Sequence, residues 1–457
     1  MSPVFRLTQG PVRSCLHRSS AYRGFSLIEL MIAMLIGSLL LVGLVSLFGT
    51  TSNVNRLENG LARAQENGRF ALSMIASDIR MATATRSVRK AHGVGSGEPQ
   101  WDTPIFSYVD MDAGDLRHHG LPGVTSSGLD TSGSFYPIPR SVMLRGYECR
   151  GDSCSPAEVP DSEALGGDQY GTLPGLGVSA GNRARGADVL TMRYVRGEGV
   201  RIQSIEGAVV TLRGADRINI GPSGLVVISD HNRTSIARVQ QAGGTNLQAF
   251  TFSGNLLNPA PLTADGDIRV SDFDSSFITV TYYLRLDEDP SRPERLISTL
   301  VRRENGVAQE IAQGIERLDF RYQLEDANRN RYWMDAAEVN AAAEGGLDWP
   351  ANSFDGVMPQ LRGFEEGSSL QAWRAVRAID VHLLANTVDD AGSPQEPFSY
   401  SFLPDGSLNT ANIIQMACDA SYAGNCDGGI TELPSGLPPG RMARREFRTT
   451  VAIRNNP

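Results

Sequence analysis

Hydrophobic and polar positions divide the chain into stretches with different periods. From Leu30 to Phe48 no residue is charged, and these nineteen positions come close to the roughly 20 apolar residues that a helix needs to cross a bilayer core. After Asn55 the pattern turns amphipathic: Leu57, Leu61, Ala64, Phe70, Leu72, Ile75 and Ile79 recur near helical spacing. No proline occurs between Phe25 and Ala84, so the spacing predicts one helix whose length could reach roughly 90 Å at about 1.5 Å per residue. Gly37, Gly43, Gly49, Gly60 and Gly68 each weaken that helix, while those within the apolar span also permit close helix packing. A coiled coil is excluded, because no heptad repeat is sustained.

Beyond the helix the punctuation changes. Residues 86–186 are dense in Gly, Pro, Ser and Asp, as in Gly93-Val94-Gly95-Ser96-Gly97 and Gly120-Leu121-Pro122-Gly123, and predict loops and turns. From Ala187 onward period-two alternation takes over. Leu190, Met192 and Tyr194 share one face, as do Ile278, Val280, Tyr282, Leu284 and Leu286, and later Phe447, Thr449, Val451 and Ile453. Further strands are predicted at 207–213, 225–229, 246–252, 295–302, 315–324 and 373–385. The predicted fold class is α+β, a long N-terminal hydrophobic and amphipathic α-helix packed on a large antiparallel β-rich globular domain with long loop insertions. About 370 residues follow the helix, too many for one small core, so the domain is expected to be elaborated by insertions or accompanied by a satellite.

One position breaks the apolar pattern with chemical consequence. Glu29 places a carboxylate at the start of the span, where an ionisable group costs roughly 2.5 to 3.5 kcal/mol or more unless it finds a partner. Ahead of it stand Arg6, Arg13, Arg18 and Arg23, with no acidic residue among the first 24. That asymmetry keeps the leader in the cytoplasm and sends the rest of the chain across the membrane.

The run Arg23-Gly24-Phe25-Ser26-Leu27-Ile28-Glu29-Leu30 resembles the class III leader of type IV prepilins. The resemblance implies cleavage after Gly24 by a prepilin peptidase and methylation of the new amino terminus at Phe25. It also implies that Glu29, then the fifth residue, pairs with the N-terminal amine of a neighbouring subunit, so that both charges are compensated inside an apolar filament core. The segment Gln65-Glu66-Asn67-Gly68-Arg69-Phe70-Ala71-Leu72, continuing through Ile75, Asp78, Ile79 and Arg80, is similar to the stalk of PilW-like minor pilins. So are 187–194, 373–377 and 444–455, which look like the core strands of that family. Two departures stand out: the 24-residue leader is long, and Ser46 takes a place that is often proline in major pilins.

On this reading residues 1–24 are a prepilin leader and 25–85 the pilin helix with its transmembrane part at 30–48. Residues 86–186 are a loop-rich insertion and 187–457 a β-rich globular domain. The resemblance implies a minor pilin that helps initiate or cap a type IV pilus and present its tip complex. Its bulk suits a tip or low-abundance position better than a densely packed shaft. Implied partners are other minor pilins, the major pilin, the prepilin peptidase, a pilus-tip adhesin and the inner membrane. The chain would sit first in the inner membrane, as a single-pass protein with a periplasmic domain, and then in a surface pilus. A minor pseudopilin of type II secretion shares leader, helix and β domain and is the alternative. An exported enzyme held by a signal anchor is a third reading.

Charge and composition narrow the function. The leader holds four of the 42 basic residues and none of the 51 acidic ones, so the remainder carries 38 against 51 and disfavours nucleic-acid binding through a broad basic surface. Lys90 is the single lysine, which leaves a Walker-type loop or a Schiff base almost without candidates. No His-Glu-x-x-His, Gly-x-Ser-x-Gly or dinucleotide fingerprint occurs, and neither enzyme chemistry nor a cofactor is expected.

Cys15 leaves with the leader, and four cysteines remain in two close pairs, Cys149 with Cys154 and Cys418 with Cys426. Local disulfides are the simplest of three connectivities in an oxidising compartment, with zinc the rival at poorly fitting spacings. His118 and His119, with Asp110, Asp112 and Asp115 upstream, read as a solvated polar loop rather than a metal cluster. His382, in an otherwise apolar strand, reads as a hydrogen-bonded core or edge residue. Asp326, Asn328 and Asn330 alternate like the first calcium ligands of an EF-hand, yet Arg331 replaces the required glycine and Ala337 the bidentate glutamate, unless Glu338 or Asp335 substitutes; a turn with self-capping side chains explains the same residues without metal and is the favoured reading. Arg150-Gly151-Asp152 lies inside the first cysteine pair, where a tight loop is explanation enough.

Overall fold

The computed structural model describes residues 26–84, 105–107, 136–138, 143–150, 153–155, 173–177, 179–230, 234–252, 267–290, 292–326, 328–342, 372–373, 375–389 and 442–453. Helix α1 runs unbroken from Leu27 to Met81, within four residues of the ends of the expected 25–85 helix. The chain divides into two units at Asn55, and the helix contributes to both.

In the first unit the large side chains from Leu27 to Phe48 stand open to the surroundings; Leu27 is 76% exposed and Leu40 70%. Hydroxyls in this stretch turn back on the helix: Ser38 Oγ donates to the Leu35 carbonyl at 2.8 Å and Thr50 Oγ1 to the Ser46 carbonyl at 2.9 Å. In hydrocarbon each unsatisfied polar group is expensive, and this back-bonding removes that cost without a second chain.

In the second unit the helix from Arg56 to Met81 buries Ala64, Gly68, Ala71, Ile75, Ala76, Asp78 and Ile79. Two sheets receive it. The larger has β3 (Leu144–Arg150), β4 (Ser153–Ser155), β7 (Val189–Val195), β14 (Phe277–Asp289), β15 (Arg292–Glu304) and β16 (Val307–Gln313) in the order β16-β15-β14-β7-β3-β4. Two short strands, β5 (Leu176–Gly177) and β6 (Arg183–Ala184), attach at β14. The smaller sheet has β17 (Ile315–Glu325), β18 (Arg331–Met334), β19 (Val376–Asn386) and β20 (Arg444–Ala452) in the order β18-β17-β19-β20.

Alternation explains how the strands meet the helix. Ile278, Val280, Tyr282, Leu284 and Leu286 of β14, with Leu318, Phe320, Tyr322 and Leu324 of β17, join Ala71, Ile75 and Ile79 of α1 in one core. Ile75 and Ile79 are fully buried, a contribution of about 1.5 to 3 kcal/mol each. The β15–β16 hairpin turns on Asn305-Gly306, both at positive φ (45° and 84°), the pair that a type I′ turn demands. Asp188 stitches the two sheets together, accepting from the Cys149 N–H and the Phe320 N–H at 3.0 Å each. Burial pushes its carboxyl well above the usual range, and the nearby Glu148 and Asp319 charges push the same way.

A third sheet has a core of its own. It comprises β8 (Val200–Glu206), β9 (Val209–Leu212), β10 (Leu225–Ser229), β11 (Thr234–Arg238), β12 (Ala249–Thr251) and β13 (Arg269–Asp272), extended by β1 (Ile105–Ser107) and β2 (Tyr136–Ile138). Short helices α2 (Phe273–Ser276) and α3 (Ala336–Ala341) complete the described elements. Among the described strands pairing is antiparallel, as expected, except where β1 meets β11 and β5 meets β6. Both exceptions are short strands that reach a sheet from a distant segment, where no tight hairpin imposes the antiparallel sense.

Candidate functional site

Two regions of α1 carry chemistry. At its start Ser26 is the residue before the first helical position, and its N–H donates to Glu29 Oε2 at 2.9 Å. A glutamate at the third helical position that reaches back to the cap is one half of a capping box. Within the single chain the Glu29 carboxylate therefore has a backbone donor, and its charge lies at the end of the helix where the dipole favours an anion. Gly24 and Phe25 lie outside the described residues. So do Cys418, Cys426, Asp110, Asp112, Asp115, His118, His119, Gly151 and Asp152. Among the described residues, α1 is long and apolar enough to cross a membrane.

The second region is the last part of the helix, where Asp78 enters the β core. Its carboxylate accepts from Tyr194 Oη at 3.1 Å, Tyr282 Oη at 2.7 Å, and Arg302 Nε and Nη2 at 2.7 and 3.3 Å. Those donors come from β7, β14 and β15, three neighbouring strands of the larger sheet. Arg302 Nη1 continues to Glu304 at 2.5 Å, Glu304 meets Arg196 at 2.8 Å, and Arg196 Nη2 returns to Tyr194 Oη at 3.4 Å. The result is a closed polar ring around the helix end.

Electrostatics follow the geometry. Burial raises the Tyr282 hydroxyl pKa, and the Asp78 charge raises it further, so the phenol stays a donor. For Arg302 burial acts downward, but the Asp78 hydrogen bond and charge outweigh it and the guanidinium is held charged. Glu304 is drawn below the usual carboxylate range, chiefly by its hydrogen bond from Arg196.

Three further contacts seat the helix. Asn67 Nδ2 donates to the Gln313 carbonyl at 3.1 Å. Gly68 lies against the Phe447 ring so closely that an added Cβ would overlap the ring atoms. Gly60 lies against Thr387, where a Cβ would meet Thr387 Cβ at 3.0 Å. Asn67, Gly68, Ala71, Ile75, Asp78 and Ile79, singled out from the stalk pattern, thus all point into the fold. Glu66, Arg69, Phe70 and Arg80 of the same pattern are exposed, and Phe70 is 50% accessible.

Other candidate residues occupy structural places. Cys149 and Cys154 form a disulfide across β3 and β4, with Arg183 Nη1 at 3.6 and 3.5 Å from the two sulfurs. His382 is fully buried in β19, with Nε2 at 3.1 Å from Asp380 Oδ2 and Nδ1 at 3.4 Å from Glu446 Oε1. Burial lowers the imidazole pKa, but the Asp380 and Glu446 bonds outweigh it and the net direction is up. Asp380, despite its burial, is brought down to about 2 by His382 and Arg448, with Thr450 adding a third donor. Asp326 accepts from the Asn330 N–H at 2.7 Å, Asn330 Nδ2 at 2.8 Å and Tyr332 Oη at 3.2 Å, closing the turn between β17 and β18. No group of three metal-ligating side chains occurs among the described residues.

Two known families match parts of the chain. Residues 281–455 match the model of type IV pilus-assembly protein W, and residues 19–45 match the prokaryotic N-terminal methylation motif. No curated protein and no solved structure matches the chain. The first match runs from within β14 through β20, including Arg302, Glu304 and Phe447, and the second covers Gly24, Phe25 and Glu29. These families describe structural pilus components rather than enzymes, and the chain is similar to PilW-like type IV pilins over its C-terminal β strands and carries a prepilin-type methylation motif ahead of a helix long and apolar enough to cross a membrane.

Proposed function

We propose that this chain is a minor pilin that helps initiate or cap a type IV pilus and present its tip complex. It is cut after Gly24, methylated at Phe25, and docked through Glu29 onto the amino terminus of a neighbour. The observation that carries the reading is the two-part helix. One part exposes apolar side chains on every side with a single carboxylate at its start, and the other is pinned into a β body by Asp78. A membrane anchor alone has no use for the carboxylate, and a soluble domain alone has no use for the exposed apolar length. In this reading the Ser26 N–H holds Glu29 until assembly supplies an ammonium, a stronger charged partner.

The test is Glu29→Leu in cells whose only copy carries it. The variant inserts at least as well, because the span becomes more apolar. Its abundance in sheared pili and the number of pili both fall. Wild-type abundance of Glu29→Leu in pili, with pilus number unchanged, removes the docking role. Co-purification with a secretion pseudopilus in place of a pilus would transfer the same geometry to type II secretion.

A further inference from the structure

The third sheet closes on itself. β8 to β13 run in the order β12-β9-β8-β13-β10-β11, and an isolated antiparallel bridge between Val239 and Phe252 brings β11 back to β12. The Gln240 N–H donates to the Thr251 carbonyl at 2.8 Å across the same seam. Six strands therefore form a small barrel, filled by Val210, Leu212, Ile220, Val226, Phe250 and Phe252 among others. None of its core residues belongs to the core that α1 shares with the other two sheets.

The barrel is also inserted at a single point. It leaves β7 after Val195 and returns at Phe277 of β14, and these two residues are direct partners in the β7–β14 ladder. One step further the Arg196 N–H still donates to the Ser276 carbonyl at 2.7 Å, so entry and exit lie side by side. Among the described strands the barrel's ladders reach the rest of the chain through β1 alone. The Phe273 ring of α2 stacks on Phe277, with centroids 5.0 Å apart, at the junction. The family match begins at residue 281, after the barrel has ended.

Closure has a physical meaning for a domain carried outside a cell. A barrel presents no row of unpaired N–H and C=O groups to template pairing with other chains. The outermost added strand, β2, contains Pro137, which lacks the N–H needed to extend a ladder.

We propose that residues 197–275 are a separable accessory module, and that folding and assembly reside in α1 with the two-sheet body. The module folds around its own core and is displayed by the pilin, and its removal leaves the body and its helix anchor intact. The assembly half of this proposal rests on the minor-pilin reading; the folding half does not.

The experiment uses the full chain with 197–275 replaced by Asn-Gly, the same turn pair that the protein uses between β15 and β16. A second variant, Phe250→Asp, keeps every residue but breaks the barrel core. In both, hydrogen exchange of the α1 segment 70–81 and of β17 and β19 stays within about twofold of wild type, and the Cys149–Cys154 bridge forms. Loss of barrel protection in Phe250→Asp is confined to 197–275 and the paired strands β1 and β2. Pilus incorporation of the excised chain stays within about twofold of wild type, while Glu29→Leu, run beside it, drops out. Body strands that lose protection together with the barrel overturn the proposal. If the excised chain does not accumulate, Phe250→Asp alone decides. A folded body in both variants with Glu29→Leu still fully incorporated leaves separability standing and rejects the pilin reading instead.

Discussion

Replacing Asp78 with asparagine tests whether the polar ring holds the helix to the β body. Asparagine keeps the shape and one acceptor oxygen, but turns the other position into a donor that faces Arg302 or a tyrosine hydroxyl. Arg302 then keeps Glu304 at 2.5 Å, loses one of its two bonds of 2.7 and 3.3 Å to residue 78, and faces a neutral amide in place of its buried counter-charge. Breaking a buried pair by removing one partner costs about 3 to 5 kcal/mol, and the surviving Glu304 contact places the expectation near the lower end, about 3 kcal/mol. That corresponds to roughly a hundredfold easier opening. The readout is hydrogen exchange on the detergent-solubilised full chain, following peptides over residues 70–81. A local measurement is preferable to global unfolding because a protein with two separate cores need not unfold in one step. Adding Arg302→Met to Asp78→Asn removes the stranded charge and recovers part of the loss, so the two changes are not additive. If Asp78→Asn alters opening by less than threefold, and the pair of changes simply adds, the ring is incidental and the apolar contacts of Ile75 and Ile79 suffice.

Gly68→Ala forces a Cβ into the Phe447 ring and costs about 1 to 3 kcal/mol by overpacking, and Phe447→Leu restores part of it; equal stability of Gly68→Ala and wild type in urea refutes the contact. Two pH limits follow from the β19–β20 cluster. The raised His382 pKa contributes stability below the usual 6.5 that is lost as pH rises through its folded value, and the Asp380 contribution is present above 3.8 and lost as pH falls toward about 2. Exchange of β20 amides should accelerate at both ends relative to their pH-corrected intrinsic rates, and His382→Gln should abolish the alkaline limb; an unchanged alkaline limb assigns it elsewhere. Non-reducing peptide mapping should show Cys149 joined to Cys154 and Cys418 joined to Cys426, and free thiols at the second pair with bound zinc would reverse that pairing.

Much of the helix was legible because its signals are local. The absence of proline and the period of 3.6 place it at 25–84, against Leu27–Met81 observed. Strands rich in buried apolar residues were equally clear: 225–229 coincides with β10, and 315–324 falls one residue short of β17. Two of the missed strands are of another kind. β16 reads Val-Ala-Gln-Glu-Ile-Ala-Gln and is mostly exposed at a sheet edge, and β13 is only Arg269–Asp272. Neither offers enough apolar contrast to register. Barrel closure depends on Val239 meeting Phe252, a pairing with no local signature. Asp78 stood within a recognised pattern, yet its partners lie 116, 204 and 224 residues away, and nothing in the chain's periodicity announces a buried hydrogen-bond ring.

The stalk segment shows why fold and assembly have to be scored separately. Asn67, Gly68, Ala71 and Asp78 meet a carbonyl, a ring, a core and three strands, so the fold alone accounts for their identity. Glu66, Arg69 and Phe70 are their close neighbours in sequence, but these side chains are exposed and the described body makes no demand on them. A half-exposed phenylalanine beside two charges is energetically neutral for a single chain, whereas the same ring covered by a neighbour contributes through its buried area. A variant at Gly68 or Asp78 that fails to enter pili reports first on a loosened helix, and the exchange of 70–81 exposes that cause. A variant at Phe70 that fails with unchanged exchange reports on contacts beyond the chain.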